Sequence, residues 1–319
     1  MEAGKTAEIV PCIGCTQRCM SFNDHDTLQE GDWGVSCIFN PFSNNRVEMQ
    51  YGPAEEKKRV LIIGAGIGGL YAAQIAAERG HDVTVFEKNG PNRAGGQFLI
   101  AAYPPFKQNI TRVIRHYLHM CDKYGVDIKW NTEANDEMVR EFAPDILIDA
   151  SGAEPMMLNL PGFDSPQVVQ ANALLEGKHQ LGNSALIIGG GMVGVETAEF
   201  CRDYCENVSL IEMLPEIATD LYMTVRDSLL KRFKQEEIDV HVNTSALRFE
   251  DGVLYAEQNG EEVAFAGYDT IVVTVGCCHQ EVFADKESLA PEVYSIGDAK
   301  EPRSALEAIF EAARVAMRI

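Results

Sequence analysis

Short apolar runs that end at glycine recur along this chain, and two of them open long, similar segments. The first is residues 59–89, RVLIIGAGIGGLYAAQIAAERGHDVTVFEKN, and the second is residues 184–214, SALIIGGGMVGVETAEFCRDYCENVSLIEML. Aligned from residues 59 and 184, both copies read Leu-Ile-Ile, place three glycines in register and close with a glutamate. Each copy predicts a buried strand, a glycine-rich turn, an alanine-rich helix and a second strand.

The three glycines of each copy have separate roles in such a strand–turn–helix unit. The first allows the tight turn out of the strand, and the second lets backbone amides approach a pyrophosphate without a side chain in the way. The third lets the helix pack closely on the sheet, and the anion then lies at the helix N-terminus. The six candidate positions are Gly64, Gly66 and Gly69 in the first copy and Gly189, Gly191 and Gly194 in the second.

A carboxylate ends the second strand of each copy, at Glu87 and at Glu212. In a dinucleotide-binding fold, an acid at this place accepts the two hydroxyl groups of an adenosine ribose. The sequence therefore predicts an α/β chain with paired Rossmann-like domains. The alternative is two glycine-rich turns that bind no nucleotide, but the acid, strand and helix are in register in both copies.

Glycines follow other predicted strands and indicate further close approaches between backbone and ligand. The segment KNGPNRAGGQF has two adjacent glycines, and PDILIDASGAEP and YDTIVVTVGCC are apolar strands that end at glycine. In PEVYSIGDAKEP the strand runs into Gly-Asp before a C-terminal helix, where a carboxylate can accept hydrogen bonds from a polyol. The candidate positions are Gly95, Gly96, Ser151, Gly152, Gly276, Gly297 and Asp298.

Composition and charge exclude several classes of partner. The 319 residues are 46% hydrophobic, which is enough for more than one large core, and the formal net charge is −21. A field of that sign repels nucleic acid and anionic lipid. No apolar run reaches the roughly 18 residues that cross a bilayer, and the N-terminus lacks the layout of a secretion signal. We therefore expect a soluble, cytoplasmic protein with no nucleic-acid or membrane partner.

Three of the nine cysteines lie in PCIGCTQRCM, residues 11–20, and Cys37 follows after a polar stretch. In a reducing compartment, clustered cysteines are more often metal ligands or redox groups than structural disulfides, and nine is an odd number. Four thiolates suit either zinc or an iron–sulfur cluster. Cys201 and Cys205 share one face of a helix, where we expect them to pack as small apolar residues.

The quoted motifs together resemble a known family. The paired folds, GGQF, ASGAEP and YSIGDA resemble a flavoprotein with two dinucleotide-binding domains, the first holding FAD and the second, inserted one holding NAD(P)H. PCIGCTQRC and the later Cys-Ile-Phe-Asn-Pro are similar to the C-terminal half of the 2,4-dienoyl-CoA reductase, enoate reductase and trimethylamine dehydrogenase family. AGGQFLIAAYPPFK is closest to the reductase branch. The resemblance covers the whole chain and adds two nucleotide contacts, Lys88 and Gln97.

The resemblance implies a 4Fe–4S cluster. Cysteines spaced C-x2-C-x3-C, with a later cysteine before Asn-Pro, hold the cluster in that family, and the matching residues here are Cys12, Cys15, Cys19 and Cys37. The spacing and the flavin domains favour iron over zinc. Between Cys19 and Cys37 the chain is longer than the family's pattern.

The resemblance also implies a function. We expect an NAD(P)H oxidoreductase module that passes electrons from the nicotinamide through FAD and the cluster to an FMN-binding TIM-barrel domain or subunit, which reduces an α,β-unsaturated acid or thioester. That barrel is not in this sequence. No side chain is expected to act as a general acid or base, because the cofactors supply the chemistry. NADH is preferred over NADPH, because Glu212 repels a 2′-phosphate and residues 212–223 contain no Lys or Arg.

Two other functions compete with this one. A disulfide-reducing flavoenzyme needs a cysteine pair beside the flavin, and no such CxxC or CxxxxC pair follows the first fold. A non-catalytic module that holds a nucleotide to support or assemble a cluster-bearing barrel enzyme remains the alternative. The expected domains are an iron–sulfur segment at 1–52, an FAD-binding domain at 53–160 and 267–319, and an inserted NAD(P)H-binding domain at 161–266.

Overall fold

A computed structural model describes residues 5–20, 36–43 and 50–319, so the predicted iron–sulfur segment lies partly outside the described residues. The chain divides into two compact units. Unit 1 comprises Met1–Leu99, Asn109–Glu154 and His279–Ile319, and unit 2 comprises Ile100–Gln108 and Pro155–Cys278. The two sequence copies therefore fall in different units.

Unit 1 is built on a five-stranded parallel sheet in the order β15-β4-β1-β2-β3. Its strands are β1 (Arg59–Ile63), β2 (Asp82–Glu87), β3 (Asp127–Trp130), β4 (Ile146–Asp149) and β15 (Glu292–Ser295). Strands β1 and β4 are apolar and almost wholly buried, as parallel strands covered on both faces must be.

Helices cover the sheets of both units. They are α1 (Ile67–Glu78), α2 (Gln97–Ile100), α3 (Ile110–Lys123), α4 (Asp136–Phe142), α5 (Ala171–Leu175), α6 (Met192–Arg202), α7 (Met223–Gln235) and α8 (Ala305–Ala316). Residues 67–77 of α1 are all buried, because this helix packs against the sheet, α3 and α8. Its alanines and glycines allow that close packing on several sides. Helix α8 begins at a capping box: the Ser304 hydroxyl accepts the backbone amides of Leu306 and Glu307, and the Glu307 carboxylate accepts the backbone amide of Ser304.

Unit 2 repeats this architecture with a second five-stranded parallel sheet, in the order β6-β13-β7-β8-β9. Its strands are β6 (Val168–Gln170), β7 (Ser184–Ile188), β8 (Asn207–Ile211), β9 (Asp239–His241) and β13 (Thr270–Val273). The register is the same as in unit 1, since Ile63 pairs with Phe86 and Ile188 pairs with Ile211. The duplication seen in the sequence is thus a duplication of strand pairing.

Two smaller sheets complete the fold. An antiparallel sheet comprises β10 (Thr244–Glu250), β11 (Val253–Gln258) and β12 (Glu261–Ala266), and its apolar face packs on the buried side of β7 and β13. The short strands β5 (Ala153–Pro155) and β14 (Cys277–His279) form a pair. Among the described helices, none combines the length and apolar character that crossing a lipid bilayer requires.

The boundaries between the two units differ from the domain boundaries expected from the sequence. Ile100–Gln108, expected in the FAD-binding domain, belongs to unit 2. The main part of unit 2 begins after Glu154, where the sequence placed the boundary at 160/161, and it ends at Cys278, where the sequence placed it at 266/267. The last difference has a clear cause. Strand β13 lies after residue 266 but inserts between β6 and β7, so hydrogen bonding ties it to unit 2.

Candidate functional site

The turn between β1 and α1 uses its three glycines for three different purposes. Gly64 has φ +101° and donates its amide to Phe86 O at 2.8 Å, which closes the turn onto β2. A Cβ on Gly69 would lie 2.0 Å from Gly64 O, so only glycine lets the helix pack here. Gly66 is the N-cap of α1, and a Cβ on it would meet nothing within 4 Å. The space before the first helix amides is therefore open, as an approaching pyrophosphate requires.

The turn between β7 and α6 has the same construction. Gly189 has φ +109° and donates to Ile211 O at 2.9 Å, and a Cβ on Gly194 would lie 1.9 Å from Gly189 O. Gly191 is the N-cap of α6, and the nearest atom to its missing Cβ is Asp220 Oδ2 at 3.5 Å. The space around Gly64, Gly69, Gly189 and Gly194 requires glycine, and the nucleotide-binding role of all six glycines stays a prediction.

Both predicted acids are buried beside their own glycine turn. Glu87 Oε2 accepts a hydrogen bond from Ala65 N at 2.7 Å, and Glu212 Oε2 accepts one from Gly190 N at 2.5 Å. The other oxygen of each carboxylate accepts the amide two residues later, at 2.7 and 2.8 Å. Glu87 Oε1 also accepts the side-chain amide of Asn89 at 2.8 Å, so the remaining lone pair of Glu87 is on Oε2, whereas each oxygen of Glu212 keeps one. Both carboxylates can therefore still accept a ribose hydroxyl group.

The segment after β2 returns to the first glycine turn. Gly95 has φ +94° and donates its amide to Ala65 O at 2.8 Å, and a Cβ on Gly96 would lie 3.4 Å from Gly66 Cα. The side chain of Gln97 donates to Ala153 O at 2.7 Å. These three predicted contacts are therefore brought to the edge of the first sheet, beside the open space at Gly66.

A buried network that the sequence reading missed lies at the same edge. Asp149 ends β4 and is 2% exposed; its Oδ1 accepts bonds from the amide and the hydroxyl of Ser151, the latter at 2.6 Å. Lys286 Nζ lies 3.3 Å from Asp149 Oδ2 and 2.8 Å from Ser295 Oγ. This network holds the Ser151-Gly152 turn against the ends of β4 and β15. The available signal was an aspartate that ends an apolar strand, Ile-Leu-Ile-Asp.

The predicted Gly297-Asp298 pair follows β15 at the same edge. Gly297 donates its amide to Glu311 Oε2 at 2.9 Å, and Asp298 Oδ1 accepts the amide of Arg303 at 3.0 Å. Burial raises the pKa of the Asp298 carboxyl, and the amide and charge of Arg303 oppose that rise. A half-buried carboxyl in this position can accept polyol hydroxyls, as expected from the sequence.

The last two predicted nucleotide contacts, Lys88 and Gly276, contact residues outside the glycine turns. Lys88 is exposed, with its Nζ 3.9 Å from Glu154 Oε1. Gly276, with φ +101°, belongs to unit 2, where its carbonyl accepts the amide of Met156 at 2.9 Å.

The four predicted cluster ligands share one neighbourhood in unit 1. Burial raises the pKa of the Cys15 thiol, and the nearby thiols of Cys37, Cys19 and Cys12 raise it further, in that order. Burial likewise raises the pKa of Cys37, with smaller contributions from Cys12 and Cys19. In the segments that the structure describes, no group of three or more His, Cys, Asp or Glu side chains forms a site for a metal ion. The cluster therefore stays a prediction.

Backbone amides near two of these thiols favour their ionised form. The amide of Gln17 lowers the pKa of Cys15, and those of Phe39 and Asn40 lower the pKa of Cys37, in each case against the larger effect of burial. Hydrogen bonds from backbone amides stabilise a thiolate and are among the factors that tune iron–sulfur clusters. Phe39 is 1% exposed and its carbonyl accepts Tyr117 Oη of α3 at 2.8 Å, so the Cys37 turn is anchored on the first nucleotide fold.

Cys121, Cys201 and Cys205 are buried packing residues, as expected for Cys201 and Cys205. None of the nine cysteines, all of which lie in described segments, forms a disulfide. Burial raises the pKa of Cys121 to about 12, and it raises those of Cys201 and Cys205 as well. Thiols with raised pKa values are poor nucleophiles, so these positions do not suit thiol–disulfide exchange.

Comparisons with known proteins cover both nucleotide folds. The family model described as pyridine nucleotide-disulphide oxidoreductase matches residues 58–312. The chain is 31% identical to the cinnamate reductase of Clostridium sporogenes over 319 residues, which are 99% of this chain and 46% of that protein. It is 29% identical to the NADH oxidase of Thermoanaerobacter brockii, over 99% of this chain and 48% of that protein.

A solved structure extends the similarity to three dimensions. The complex of 2-naphthoyl-CoA reductase with 2-naphthoyl-CoA superimposes with a TM-score of 0.90 at 30% identity, covering 98% of this chain and 47% of that one. The chain thus spans about half the length of the relatives that it matches.

Proposed function

The chain belongs to the pyridine nucleotide-disulphide oxidoreductase family and matches the C-terminal half of enoate-reductase-like flavoenzymes, and on that premise we propose that it transfers electrons from NADH to a bound FAD. The four cysteines Cys12, Cys15, Cys19 and Cys37 would hold a 4Fe–4S cluster, through which electrons would pass to an FMN-binding barrel on the same polypeptide or on a partner subunit. The final substrate is an α,β-unsaturated acid or thioester. The names of the relatives, cinnamate reductase and 2-naphthoyl-CoA reductase, support that substrate class.

One observation carries this proposal: the same acid and the same glycine turn are built twice, with the same hydrogen bonds. In each unit a buried glutamate accepts the amide of the second turn residue, and an N-cap glycine faces the position where a pyrophosphate binds. Two complete sites suit a transfer between two nucleotides. A protein that only held one nucleotide for structural support would not need the second.

The residues of unit 1 fit FAD. Gly64, Gly66 and the amides that begin α1 would hold its pyrophosphate, and Glu87 would hold the adenosine ribose. Gly95, Gly96 and Gln97 would line the cofactor on one side, with Asp298 hydrogen-bonded to its ribityl chain. The open space at the missing Cβ of Gly66 is the cradle that such a group requires. When bound, FAD accepts the hydride of the nicotinamide, and this chain's side chains bind and orient without acting as acids or bases.

Cys12, Cys15, Cys19 and Cys37 would hold the cluster, which supplies one-electron transfer. The mutual electrostatic influence of the four thiols, and the backbone amides that lower the pKa values of Cys15 and Cys37, fit that role.

The surroundings of Glu212 favour NADH. The nearest arginine after β8 in the chain is Arg226, and its guanidinium already bonds Ile217 O at 3.0 Å and Glu216 Oε2 at 2.6 Å. A 2′-phosphate would therefore meet the Glu212 carboxylate without a free basic partner from this segment. Met213 and Leu214, which are exposed, offer an apolar surface to an adenine ring.

The test is anaerobic reduction of the flavin. The full chain is loaded with FAD, freed of excess cofactor and mixed with NADH, and absorbance near the flavin maximum is followed by stopped flow. Bleaching that saturates with NADH concentration supports the proposal. Flavin that stays bound but is not reduced by NADH or NADPH would instead favour the alternative, a non-catalytic nucleotide-binding module for assembly of a barrel enzyme.

A further inference from the structure

In both nucleotide folds, the segment after the second strand folds back onto the glycine turn. In unit 1, Gly95 donates its amide to Ala65 O at 2.8 Å. In unit 2, Ala218 donates to Gly190 O at 2.7 Å, and both donors have positive φ, +94° and +55°. Ala218 adopts the left-handed region although it is not glycine, which costs energy that other contacts of the segment must offset. The two returning segments are therefore structural equivalents.

Two residues beyond these equivalent positions, the folds differ. In unit 1 the residue is Gln97, whose side-chain amide donates to Ala153 O at 2.7 Å. In unit 2 the residue is Asp220, whose Oδ2 accepts the amide of Met192 at 2.9 Å. Met192 is the first residue of α6, so this amide is one of the unsatisfied donors that a pyrophosphate would use.

The space around the two N-cap glycines shows the same difference. A methyl group on Gly66 would meet nothing within 4 Å, whereas one on Gly191 would meet Asp220 Oδ2 at 3.5 Å. The Asp220 carboxylate thus borders the space that Gly191 leaves free, and its bond to Met192 places it at the helix amides. Asp220 is solvent-exposed, so it can leave that position without disturbing the core.

We propose that Asp220 competes with the pyrophosphate of the nicotinamide nucleotide for the N-terminus of α6, and so sets the affinity of the second fold. This inference rests on the proposed function, because it assumes that the second fold binds a dinucleotide. The helix dipole attracts both a carboxylate and a pyrophosphate to the same backbone amides. The two anions cannot occupy those amides together, because they repel each other and need the same N–H donors. The first fold, without such a competitor, keeps its flavin, and the second releases its nucleotide after each transfer.

The proposal is tested by calorimetric titration of the FAD-loaded full chain with NADH and with ADP-ribose. The variants are Asp220→Ala, Asp220→Asn and, as the matched control, Glu216→Ala. Glu216 carries the same charge in the same segment but pairs with Arg226. A carboxylate cap on helix amides contributes about 1 kcal/mol, a factor of about five in an equilibrium constant, and a nucleotide must displace it in the wild type. Asp220→Ala, which has no cap to displace, should therefore bind both ligands about fivefold more tightly than the wild type. The affinity of Asp220→Asn should lie between those of the wild type and Asp220→Ala, and the affinity of Glu216→Ala should match that of the wild type within about twofold.

A kinetic readout separates competition from a general structural effect. In stopped flow, Asp220→Ala should lower the NADH concentration that half-saturates flavin reduction and leave the limiting rate unchanged. An equal or weaker affinity in Asp220→Ala, with nucleotide still binding to the wild type, would overturn the role of Asp220 and leave the proposed function intact. Absence of binding in every variant, including Asp220→Ala, would overturn both.

Discussion

Substituting alanine at two glycines of one turn should separate flavin binding from folding. At Gly66 the added methyl group meets no protein atom within 4 Å, and φ is −66°, which alanine adopts freely. At Gly69, only three residues further on, the methyl group would lie 2.0 Å from Gly64 O and 3.3 Å from Ala150 Cβ. The first change should therefore affect what enters the site, and the second should affect the fold.

The magnitudes follow from these distances. Alanine is a poorer N-cap than glycine, so Gly66→Ala should cost at most about 1 kcal/mol of apoprotein stability. In the holoprotein it displaces the pyrophosphate from its amides. One charge-assisted hydrogen bond contributes about 1.5–3 kcal/mol, so the Kd for FAD should rise roughly 10- to 150-fold. Gly69→Ala must open a backbone contact by more than an ångström, and should cost about 3 kcal/mol of stability, at the upper end for overpacking.

Two measurements check this reasoning. Urea denaturation of the apoprotein gives the free energy of unfolding, and quenching of flavin fluorescence gives the Kd for FAD. Gly191→Ala is the matched control, since Gly191 is the N-cap glycine of the other fold; it should retain FAD and raise the KM for NADH. The assignment of FAD to the first fold is refuted if Gly66→Ala and Gly191→Ala release flavin equally. Wild-type stability of Gly69→Ala would refute the packing argument.

Three further outcomes are expected. Anaerobically purified protein should be brown, with about four iron and four sulfide per chain; stoichiometric zinc without sulfide would contradict this. Replacing any one of Cys12, Cys15, Cys19 and Cys37 by serine should abolish the colour and leave flavin bound. NADH should be preferred over NADPH by at least about tenfold in specificity constant, roughly 1.4 kcal/mol, and Glu212→Ala with Met213→Arg should shift stopped-flow rates toward NADPH. Lys286→Met leaves the buried Asp149 carboxylate without its ion pair and should lower the free energy of unfolding by about 2 kcal/mol, less than for a fully buried pair because Lys286 is partly exposed. Lys88→Met removes an exposed pair and should change the free energy of unfolding by less than about 0.5 kcal/mol. Equal effects of the two changes would contradict this reasoning.

Much of the nucleotide folds could be predicted from the sequence because their signals are local. A strand, a turn with three glycines and a helix lie within about a dozen residues, and each glycine is required by atoms only a few positions away, such as Gly64 O beneath Gly69. The acids at Glu87 and Glu212 are further along the chain, but the duplication places them in register. The same repeat therefore predicts both sites.

What the tertiary structure decided involves partners that are distant in sequence. Asp149 pairs with Lys286, 137 positions away, and Lys286 belongs to none of the quoted motifs. Strand β13 belongs to unit 2 because it pairs with β6 and β7, a fact that no pattern within residues 267–278 reveals. Asp220 reads in the sequence as one more exposed acid, and only the return of its segment over Gly190 places it on the amide of Met192. Local chemistry determines which turns can hold a phosphate, whereas chain topology determines which side chains reach them, because hydrogen bonding and packing act across any separation along the chain.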